Sequence, residues 1–547
     1  MNVIAAIQAD LEVTSIGTSS RLARELGGGV VLRRTVERLA RAKRLAGIHV
    51  LCPAAQEVRC RRLLDGCPVA VHPCDAPPPP WAKLVETARK WSLDGWRGGI
   101  GGAMLFDECV DCRVIARLLD SVAADAVLVV PPAAVLIDPV LVDELIAHRA
   151  AATSEVRVVF MQTAPGLSGL IADAALVREV GASNIPIGWV FGYKPDAPQK
   201  DLSLQPCCCP SPAEARYARG RVIADTERAM ESLAELLREH SDPDAVTVGR
   251  WLTRREAETI DPLPREVEIE LTTDDPYPFA LLRPRGERVG SRGPIDVDLV
   301  ERIVREVARY DDALIVLGGF GDPLRHPRFV EILERIASAR PYGLCVRTAG
   351  VDLDDARMDA IIRGGVDVVN VLLDAWTPPR YARLQSPNDP AIADLDAVRR
   401  AMDRLTERCR EIQSVKPILI PEMTKSAENV DELDAFHDGW MRHAGAVNIV
   451  GASHFGRQTA DHAVMNMAPG ARTGCRRIRS RCLVLADGRV ALCDQDFRGM
   501  HPAGRIGEQS LEDIWRGTPF ERIREAHRAG RFDPTPICAA CDEWHRP

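Results

Sequence analysis

Short apolar runs alternate with amphipathic stretches through about the first 240 residues. Four runs predict β-strands: NVIAAI (2–7), GIHVLCP (47–53), DAVLVV (125–130) and VRVVFM (156–161). Segments 32–45 and 140–152 instead repeat their apolar residues at helical spacing, and a longer helical stretch runs from about 211 to 239. Strands that alternate with helices predict an α/β domain whose mostly parallel sheet is covered on both faces.

A second alternating region begins near residue 265. Its strand-like runs are EVEIEL (266–271), ALIVLGG (313–319), LCVRTAG (344–350) and VDVVNVLL (366–373), with helical stretches near 298–309 and 328–339. Repeated strand–helix units of this length predict a barrel or partial barrel. The pattern divides the chain into a domain at 1–240, a linker at 241–264, a barrel at 265–460 and a small cysteine-bearing module at 461–547.

Composition and charge narrow the classes of function. The chain has 547 residues, with 70 basic against 78 acidic side chains and a net charge of -8, and nothing in this balance indicates the basic face that nucleic-acid binding requires. The first ten residues, MNVIAAIQAD, have neither the basic start nor the apolar length of a signal peptide or membrane span. We therefore expect a cytoplasmic protein whose sixteen cysteines are mostly reduced and available for metal binding.

The most informative cysteines lie in the last 73 residues. CLVLADGRVALC (482–493) predicts a hairpin that turns at Asp487 and Gly488, which would place Cys482 opposite Cys493 with β-carbons about 5 Å apart. Cys538 and Cys541 form a C-x2-C pair, and Cys475 lies upstream of the hairpin. Four thiolates suit either an iron-sulfur cluster or tetrahedral zinc, and the spacing alone leaves both metals open.

The array Cys475-x12-Gly488-x4-Cys493 with the later Cys538-x2-Cys541 resembles the SPASM extension of radical SAM proteins. The segments CDQDFRG, GRIGEQSLEDIWRG and ICAACDEWHRP carry the same resemblance. The resemblance implies a shortened SPASM domain, since full SPASM domains have further cysteines after the C-x2-C pair and only six residues follow the pair here. It therefore implies one auxiliary 4Fe-4S cluster, not two, bound by these four cysteines. Cys482 remains a competitor of Cys475 for the first position, and Cys475 is favoured.

The segment EIELTTDDPYPFALLRP (268–284) resembles the first strand and loop of radical SAM enzymes. In that family a C-x3-C-x2-C motif would occupy positions 275, 279 and 282, where this chain has Asp275, Phe279 and Leu282. Phenylalanine and leucine offer no lone pair to a metal. Reductive cleavage of S-adenosylmethionine (SAM) is therefore not expected, and we predict no catalytic residue.

The segment LGGFGDPLRHP (317–327) resembles the glycine-rich strand end that receives the amino group of SAM. The resemblance implies a cofactor-binding set in which aspartate stands where glutamate is usual: Gly318, Gly319, Gly321 and Asp322. Taken without the resemblance, the same glycines indicate ordinary strand-end turns. The sequence argues against SAM binding without excluding it.

The loop IGTSSRLARELGGGVVL (16–32) resembles the phosphate-binding loop of sugar-nucleotide cytidylyltransferases, which have a GT-A-like fold. Arg21 matches the family's arginine, but the family's lysine has no equivalent, and Pro132-Ala133 stands where an aspartate would hold magnesium. The acidic residues nearby in sequence are interpreted as solvated or capping: Asp107, Glu108 and Asp138. The pair Cys109/Cys112 and the run 207–209 are interpreted as packed or loop cysteines.

The order of these three parts resembles the spiro-SPASM family over essentially the whole chain. One hypothesis is an iron-sulfur protein with a redox-accessory role, or one that presents a peptide or small-molecule substrate to a partner enzyme. The alternative is a nucleotidyltransferase or glycosyltransferase-like enzyme with a structural metal module. We expect neither a nucleic-acid nor a membrane partner.

Overall fold

The computed structural model describes residues 1–93, 110–192, 194–197 and 201–546, in two compact units, Met1–Thr259 and Ile260–Pro547. No described helix has an apolar run long enough to cross a membrane. The four domain and linker boundaries expected from the sequence remain predictions.

The first unit is an α/β domain. Its described strands are β1 Val3–Gln8, β2 Glu25–Leu26, β3 Gly29–Val30, β4 Gly47–Pro53, β5 Ala70–Cys74, β6 Ala126–Val129, β7 Val158–Met161, β8 Leu170–Asp173 and β9 Cys208–Cys209. Its described helices are α1 Val31–Leu39, α2 Glu57–Leu63, α3 Ala82–Lys90, α4 Cys112–Val122, α5 Pro139–Ala151, α6 Ala174–Ser183, α7 Ala213–Tyr217, α8 Glu227–Glu239 and α9 Ala245–Glu258.

Seven of the nine described strands form one sheet in the order β5-β4-β1-β6-β8-β7-β9, and β2 and β3 form a separate antiparallel pair. β1 pairs in parallel with both β4 and β6, and β8 is antiparallel to its neighbours. Successive residues of β1 belong to different apolar cores, Val3 to one and Ile4 to the other. The sheet is therefore mostly parallel and covered on both faces, as predicted.

Two sequence expectations need correction in this unit. The helical stretch expected over 211–239 is two helices, α7 and α8, because Gly220 has φ +114° and Thr226 starts α8 by accepting a hydrogen bond from the Ala229 N–H. The expected linker contains α9, and Trp251 of this helix is only 3% exposed in the core. The apolar residues of α9 recur too weakly at helical spacing for the sequence to predict its buried face.

The second unit begins as a series of strand–helix repeats. Its described strands are β10 Glu266–Glu270, β11 Leu314–Gly318, β12 Gly343–Thr348, β13 Val368–Leu372, β14 Ile418–Lys425, β15 Asn448–Gly451, β16 Arg481–Val484, β17 Arg489–Ala491 and β18 Pro502–Arg505. Its described helices are α10 Val297–Val307, α11 Phe329–Ala339, α12 Asp355–Arg363, α13 Pro378–Gln385, α14 Leu395–Glu411, α15 Leu433–His443, α16 Arg477–Ser480, α17 Leu511–Trp515, α18 Thr518–Arg528 and α19 Pro536–Ala540.

One sheet joins the barrel strands to the cysteine-bearing module. Its order is β15-β14-β13-β12-β11-β10-β16-β17-β18, so the six strands β10 to β15 follow one another in sequence order and are all parallel. This is the architecture of a partial (β/α) barrel, as predicted. β16 adds to the free edge of β10 in parallel, with Val267 opposite Cys482, so the module shares the sheet of the barrel.

The two faces of this sheet differ in chemistry. Val267 and Ile269 of β10 lie in the large apolar core of the unit, together with Leu317 of β11 and Val346 of β12. The intervening residues of β10 are Glu266, Glu268 and Glu270, which side-chain alternation places on the opposite face. The sheet therefore presents an acidic strand on the face that points away from that core.

Candidate metal centre

The four predicted ligands come from three separate segments. Cys475 precedes α16, Cys493 follows β17, Cys538 lies within α19 and Cys541 caps the end of α19. Burial raises the pKa of the Cys493 thiol, and the charges of Asp494 and Cys475 raise it further. Burial also raises the pKa of Cys541 to about 12, with contributions from the charges of Cys475 and Cys538. These charge effects link Cys475 to Cys493 and to Cys541, and the binding of one metal centre by all four thiols remains a prediction.

The surroundings of the thiols suit metal-bound thiolates. The N–H of Gln495 points at Cys493 Sγ (3.4 Å), and the N–H of Glu543 points at Cys541 Sγ (3.3 Å). Such donors stabilise a thiolate once a metal replaces its proton. In the described part of the chain, no three His, Cys, Asp or Glu side chains are grouped closely enough to hold a single ion.

Cys482 does not face Cys493, and that expectation was wrong. The hairpin pairs Leu483 with Ala491 and Val484 with Val490, one residue away from the predicted register. The turn includes a third residue because Gly488 takes φ +83° and Leu485 N–H bonds to Arg489 O. A shift of one residue moves side chains to the other face of a strand, and Cys482 is accordingly 4% exposed within the apolar core.

The positions that would hold the catalytic cysteines carry a buried ion-paired carboxylate, a partly exposed phenylalanine and a core leucine. Asp275 is 8% exposed, with Oδ2 3.5 Å from Nε of Arg285. Burial raises the pKa of Asp275, and the charge of Arg285 opposes that shift. Phe279 is 40% exposed and Leu282 lies in the core. The three positions therefore have a buried carboxylate, a partly exposed ring and a buried apolar side chain, of which only the carboxylate is a metal-ligand type.

The glycine-rich turn after β11 is filled by the chain itself. Arg285 Nη1 donates to the carbonyl oxygens of Gly319 (3.1 Å) and Gly321 (3.3 Å). The N–H of Gly319 donates to Glu268 Oε1 (2.8 Å). A Cβ on Gly321 would lie 2.2 Å from the carbonyl oxygen of Thr272, and one on Gly318 would lie 2.8 Å from Glu268 Oε1. β10 and the loop that follows it approach this turn so closely that a larger residue would not fit at either position. A role of these glycines in binding a cofactor remains a prediction.

Asp322 is similarly satisfied by neighbouring protein groups. It is 1% exposed and accepts hydrogen bonds from Thr348 Oγ1 (2.8 and 2.9 Å), from the Ala349 N–H (2.9 Å) and from the Leu324 N–H (3.0 Å). These bonds join the turn after β11 to the end of β12. The structure therefore gives Asp322 a role in holding the barrel together.

This carboxyl predicts a pH dependence of stability. Burial and the charge of Asp275 raise the pKa of Asp322 to about 6, above the unfolded value of about 3.9. Its stabilising contribution is therefore fully present below about pH 4 and is lost as the pH rises through about 6, a change of about 3 kcal/mol. Urea unfolding of the wild type and of Asp322→Asn between pH 4 and 7 should show this extra slope in the wild type alone. Equal slopes in the two proteins would contradict the prediction.

The sequence analysis missed a ladder of ion pairs along β10. Glu266 lies 3.4 Å from Arg481, Glu268 lies 3.5 Å from Arg347, and Glu270 lies 2.7 Å from Arg292 (nitrogen to oxygen). Glu266 and Glu268 also line a pocket that is completed by Arg477, Arg481, Leu483, Ala491, Leu492, Asp494 and the two cysteines Cys482 and Cys493. The alternation E-V-E-I-E was the available signal, since it places three carboxylates on one face of a strand.

In the first unit, the candidate nucleotide-binding groups already have protein partners. Arg21 is 7% exposed and donates to the carbonyl oxygens of Ser19 (2.6 Å) and Asp225 (2.9 Å). Asp138 starts α5 by accepting from the Val140 N–H and also accepts from the Ala245 N–H, which confirms that it is a capping residue. Ala133 is buried in the core.

The other candidate residues of the first unit are cysteines and two acidic residues. Cys112 is buried, and the run 207–209 packs within or against the cores of the unit, as interpreted from the sequence. Asp107, Glu108 and Cys109 lie outside the described residues.

Comparison with protein families assigns two parts of the chain. Residues 283–433 match the radical SAM superfamily, and residues 475–542 match the SPASM iron-sulfur cluster-binding domain. These matches confirm the resemblance predicted for the second unit.

Two curated relatives cover parts of the chain. An uncharacterized protein of Treponema pallidum is 24% identical over 257 residues, which is 44% of this chain and 68% of the relative. GTP 3',8-cyclase of Chlorobaculum tepidum is 28% identical over 163 residues, which is 29% of this chain and 44% of the relative.

Two solved structures are similar to parts of this chain at low identity. BtrN in complex with AdoMet and 2-DOIA is 17% identical, with a TM-score of 0.35, and the match covers 50% of this chain and 92% of BtrN. A cytidylyltransferase from Leptospira borgpetersenii is 14% identical, with a TM-score of 0.34, and the match covers 47% of this chain and 95% of that structure.

Proposed function

Because the chain carries a radical SAM superfamily domain over residues 283–433 and an iron-sulfur cluster-binding domain over residues 475–542, we propose that it is a cluster-bearing protein that does not cleave SAM. It holds one 4Fe-4S cluster on Cys475, Cys493, Cys538 and Cys541. Its role is to transfer electrons, or to present a peptide or small-molecule substrate to a partner enzyme.

The observation that supports this proposal most strongly is the position of Arg285. Its guanidinium contacts Asp275 and donates hydrogen bonds to the carbonyl oxygens of Gly319 and Gly321. These carbonyl groups belong to the turn that would receive the amino group of SAM, and a cation of the chain itself already binds them. The ion pair is buried, with Arg285 6% exposed and Asp275 8% exposed. Displacing one partner would leave the other buried and uncompensated, which costs several kcal/mol.

Aromatic side chains also pack together at the turn after β11. Phe320, in the turn after β11, meets Phe455 and Phe497 with ring centroids 6.4 and 6.0 Å away, and Phe455 meets Phe497 at 5.7 Å. Phe497 belongs to the cysteine-bearing module and Phe455 to the loop after β15. Apolar rings therefore pack beside the turn at which a polar cofactor would bind.

A bound cluster would provide one-electron chemistry, with potential set by the charges and hydrogen bonds around its sulfurs. The chain supplies four thiols, of which Cys475 is 7% exposed, and backbone N–H groups directed at two of the sulfurs. These residues bind the metal and limit the access of water to it.

The proposal predicts that reductive SAM cleavage is absent. Protein purified anaerobically should contain about four irons and four sulfides per chain, and with strong reductant and SAM it should produce no 5'-deoxyadenosine above a protein-free control. An Asp322→Ala variant assayed in parallel should give the same background. Enzymatic turnover that Asp322→Ala abolishes would refute the proposal, and stoichiometric zinc without sulfide would refute the cluster.

A further inference from the structure

Arg477 lies at the centre of the cysteine-bearing module. It follows Cys475 by two residues, at the start of the short helix α16, and its side chain is 13% exposed. Its Nη1 donates to Asp494 Oδ2 at 2.5 Å, and its Nη2 lies 3.5 Å from Glu543 Oε2. One guanidinium therefore contacts residues from two other segments.

Those two partners are neighbours of the other cysteines. Asp494 directly follows Cys493, and its Oδ1 accepts a hydrogen bond from Cys493 Sγ at 3.3 Å. Glu543 follows Cys541 by two residues, and its N–H is directed at Cys541 Sγ. Arg477 consequently links the three segments that carry Cys475, Cys493 and the C-x2-C pair, which are otherwise far apart in the chain.

The planar fork of arginine suits this position. It can direct separate N–H groups to two carboxylates at once, whereas a lysine ammonium acts as a point charge on a flexible stem. Glu543 is 3.0 Å from Arg546 as well, and Arg546 donates to the carbonyl oxygen of Gly451 in β15 (2.9 Å). The network that begins at Arg477 thus reaches the edge strand of the barrel.

The charge of Arg477 also lies close to the sulfurs. An arginine guanidinium stays protonated in proteins, so the side chain is a fixed cation between Asp494 and Glu543. A fixed positive charge favours the more negative, reduced state of any metal cluster beside it. Its removal would leave two carboxylates next to the thiolates.

We propose that Arg477 is a positioning residue that holds the three cysteine-bearing segments in register and raises the reduction potential of the cluster they bind. This inference rests on the proposed 4Fe-4S cluster. It adds a specific residue that controls how readily that cluster accepts an electron.

The test compares four variants of the full chain, purified anaerobically beside the wild type. Arg477→Gln removes the charge, Arg477→Lys keeps the charge without the fork, and Asp494→Asn removes a neighbouring negative charge. Arg516→Gln is the matched control, because Arg516 is 63% exposed and pairs with Glu512 on the surface. Iron and sulfide per chain, the EPR spectrum of the reduced protein and a dye-mediated redox titration are measured for each.

Arg477→Gln is expected to shift the ratio of oxidised to reduced cluster about tenfold toward the oxidised form, which is about 59 mV for a one-electron couple. Asp494→Asn should shift the ratio in the opposite direction. Arg477→Lys should stay closer to the wild type than Arg477→Gln, and Arg516→Gln should have the wild-type ratio.

A fully loaded Arg477→Gln protein with the wild-type potential would overturn the inference. If Arg477→Gln does not retain a cluster, an unchanged potential in Asp494→Asn overturns the effect of charge. A wild-type protein without iron and sulfide would instead refute the proposed function.

Discussion

A Cys475→Ala protein is expected to lose its cluster, whereas a Cys482→Ala protein keeps it. Cys475 influences the pKa values of both Cys493 and Cys541, which places it among the other thiols. Cys482 instead lies on the core face of β16, opposite Val267 of β10. Removing one of four ligands leaves an iron exposed to solvent, so iron and sulfide per chain should fall severalfold in Cys475→Ala.

The Cys482→Ala variant is also the structural control. It creates a small cavity in the core and should lower the free energy of unfolding by about 1 kcal/mol, with wild-type iron and sulfide content. Iron analysis, visible absorbance and urea unfolding of the two variants separate metal ligation from packing. A Cys475→Ala protein with full metal content beside a depleted Cys482→Ala protein would reverse the assignment of ligands.

Removal of the cluster is expected to expose the cysteine-bearing segments to protease while the strands of the module stay protected. Metal ligation joins segments that are distant in the chain, and this restricts the unfolded state and couples binding to local folding. Trypsin should then cut first near Arg472, whose Nη2 donates to the Cys538 carbonyl oxygen. β16 should resist, because it pairs with β10 inside the barrel sheet.

Limited proteolysis followed by mass spectrometry can measure this difference. The same chain with its cluster intact provides the control, and cleavage near Arg472 should be slower in it by at least severalfold. Equal cleavage rates in the two states would contradict the coupling between metal and local structure. First cleavage within 481–505 would show that the sheet does not hold the module.

The sequence predicted the strands whose apolar runs are strong. It was less informative about strand register and strand pairing, which depend on tertiary contacts. The runs at 266–271 and 313–319 predicted β10 and β11 almost to the residue. The hairpin register was off by one because its turn depends on Gly488 adopting φ +83°, and that single residue determines which face Cys482 occupies. The parallel pairing of β16 with β10 could not be predicted, because the residues of neither strand indicate which distant strand it will pair with.

The candidate metal ligands followed from spacing and resemblance, but the contacts between Asp275, Arg285 and Gly319 did not. Residues 275, 285 and 319 are brought together only when β10 and β11 lie side by side. Their ion pair and hydrogen bonds cannot be inferred from an arginine in a loop. The bridging position of Arg477 depends in the same way on three segments meeting in the fold.

The pairing of β10 with β16 has a consequence for how the chain is made. Ribosomes release the barrel strands in order from β10 to β15, but one edge of β10 has no partner until Arg481–Val484 have been synthesised. A strand with an unpaired edge can associate with other chains, and long-range parallel pairing is slow to form. We therefore expect nascent chains that stop before β16 to aggregate or to bind chaperones, and the C-terminal module to complete the barrel late in translation.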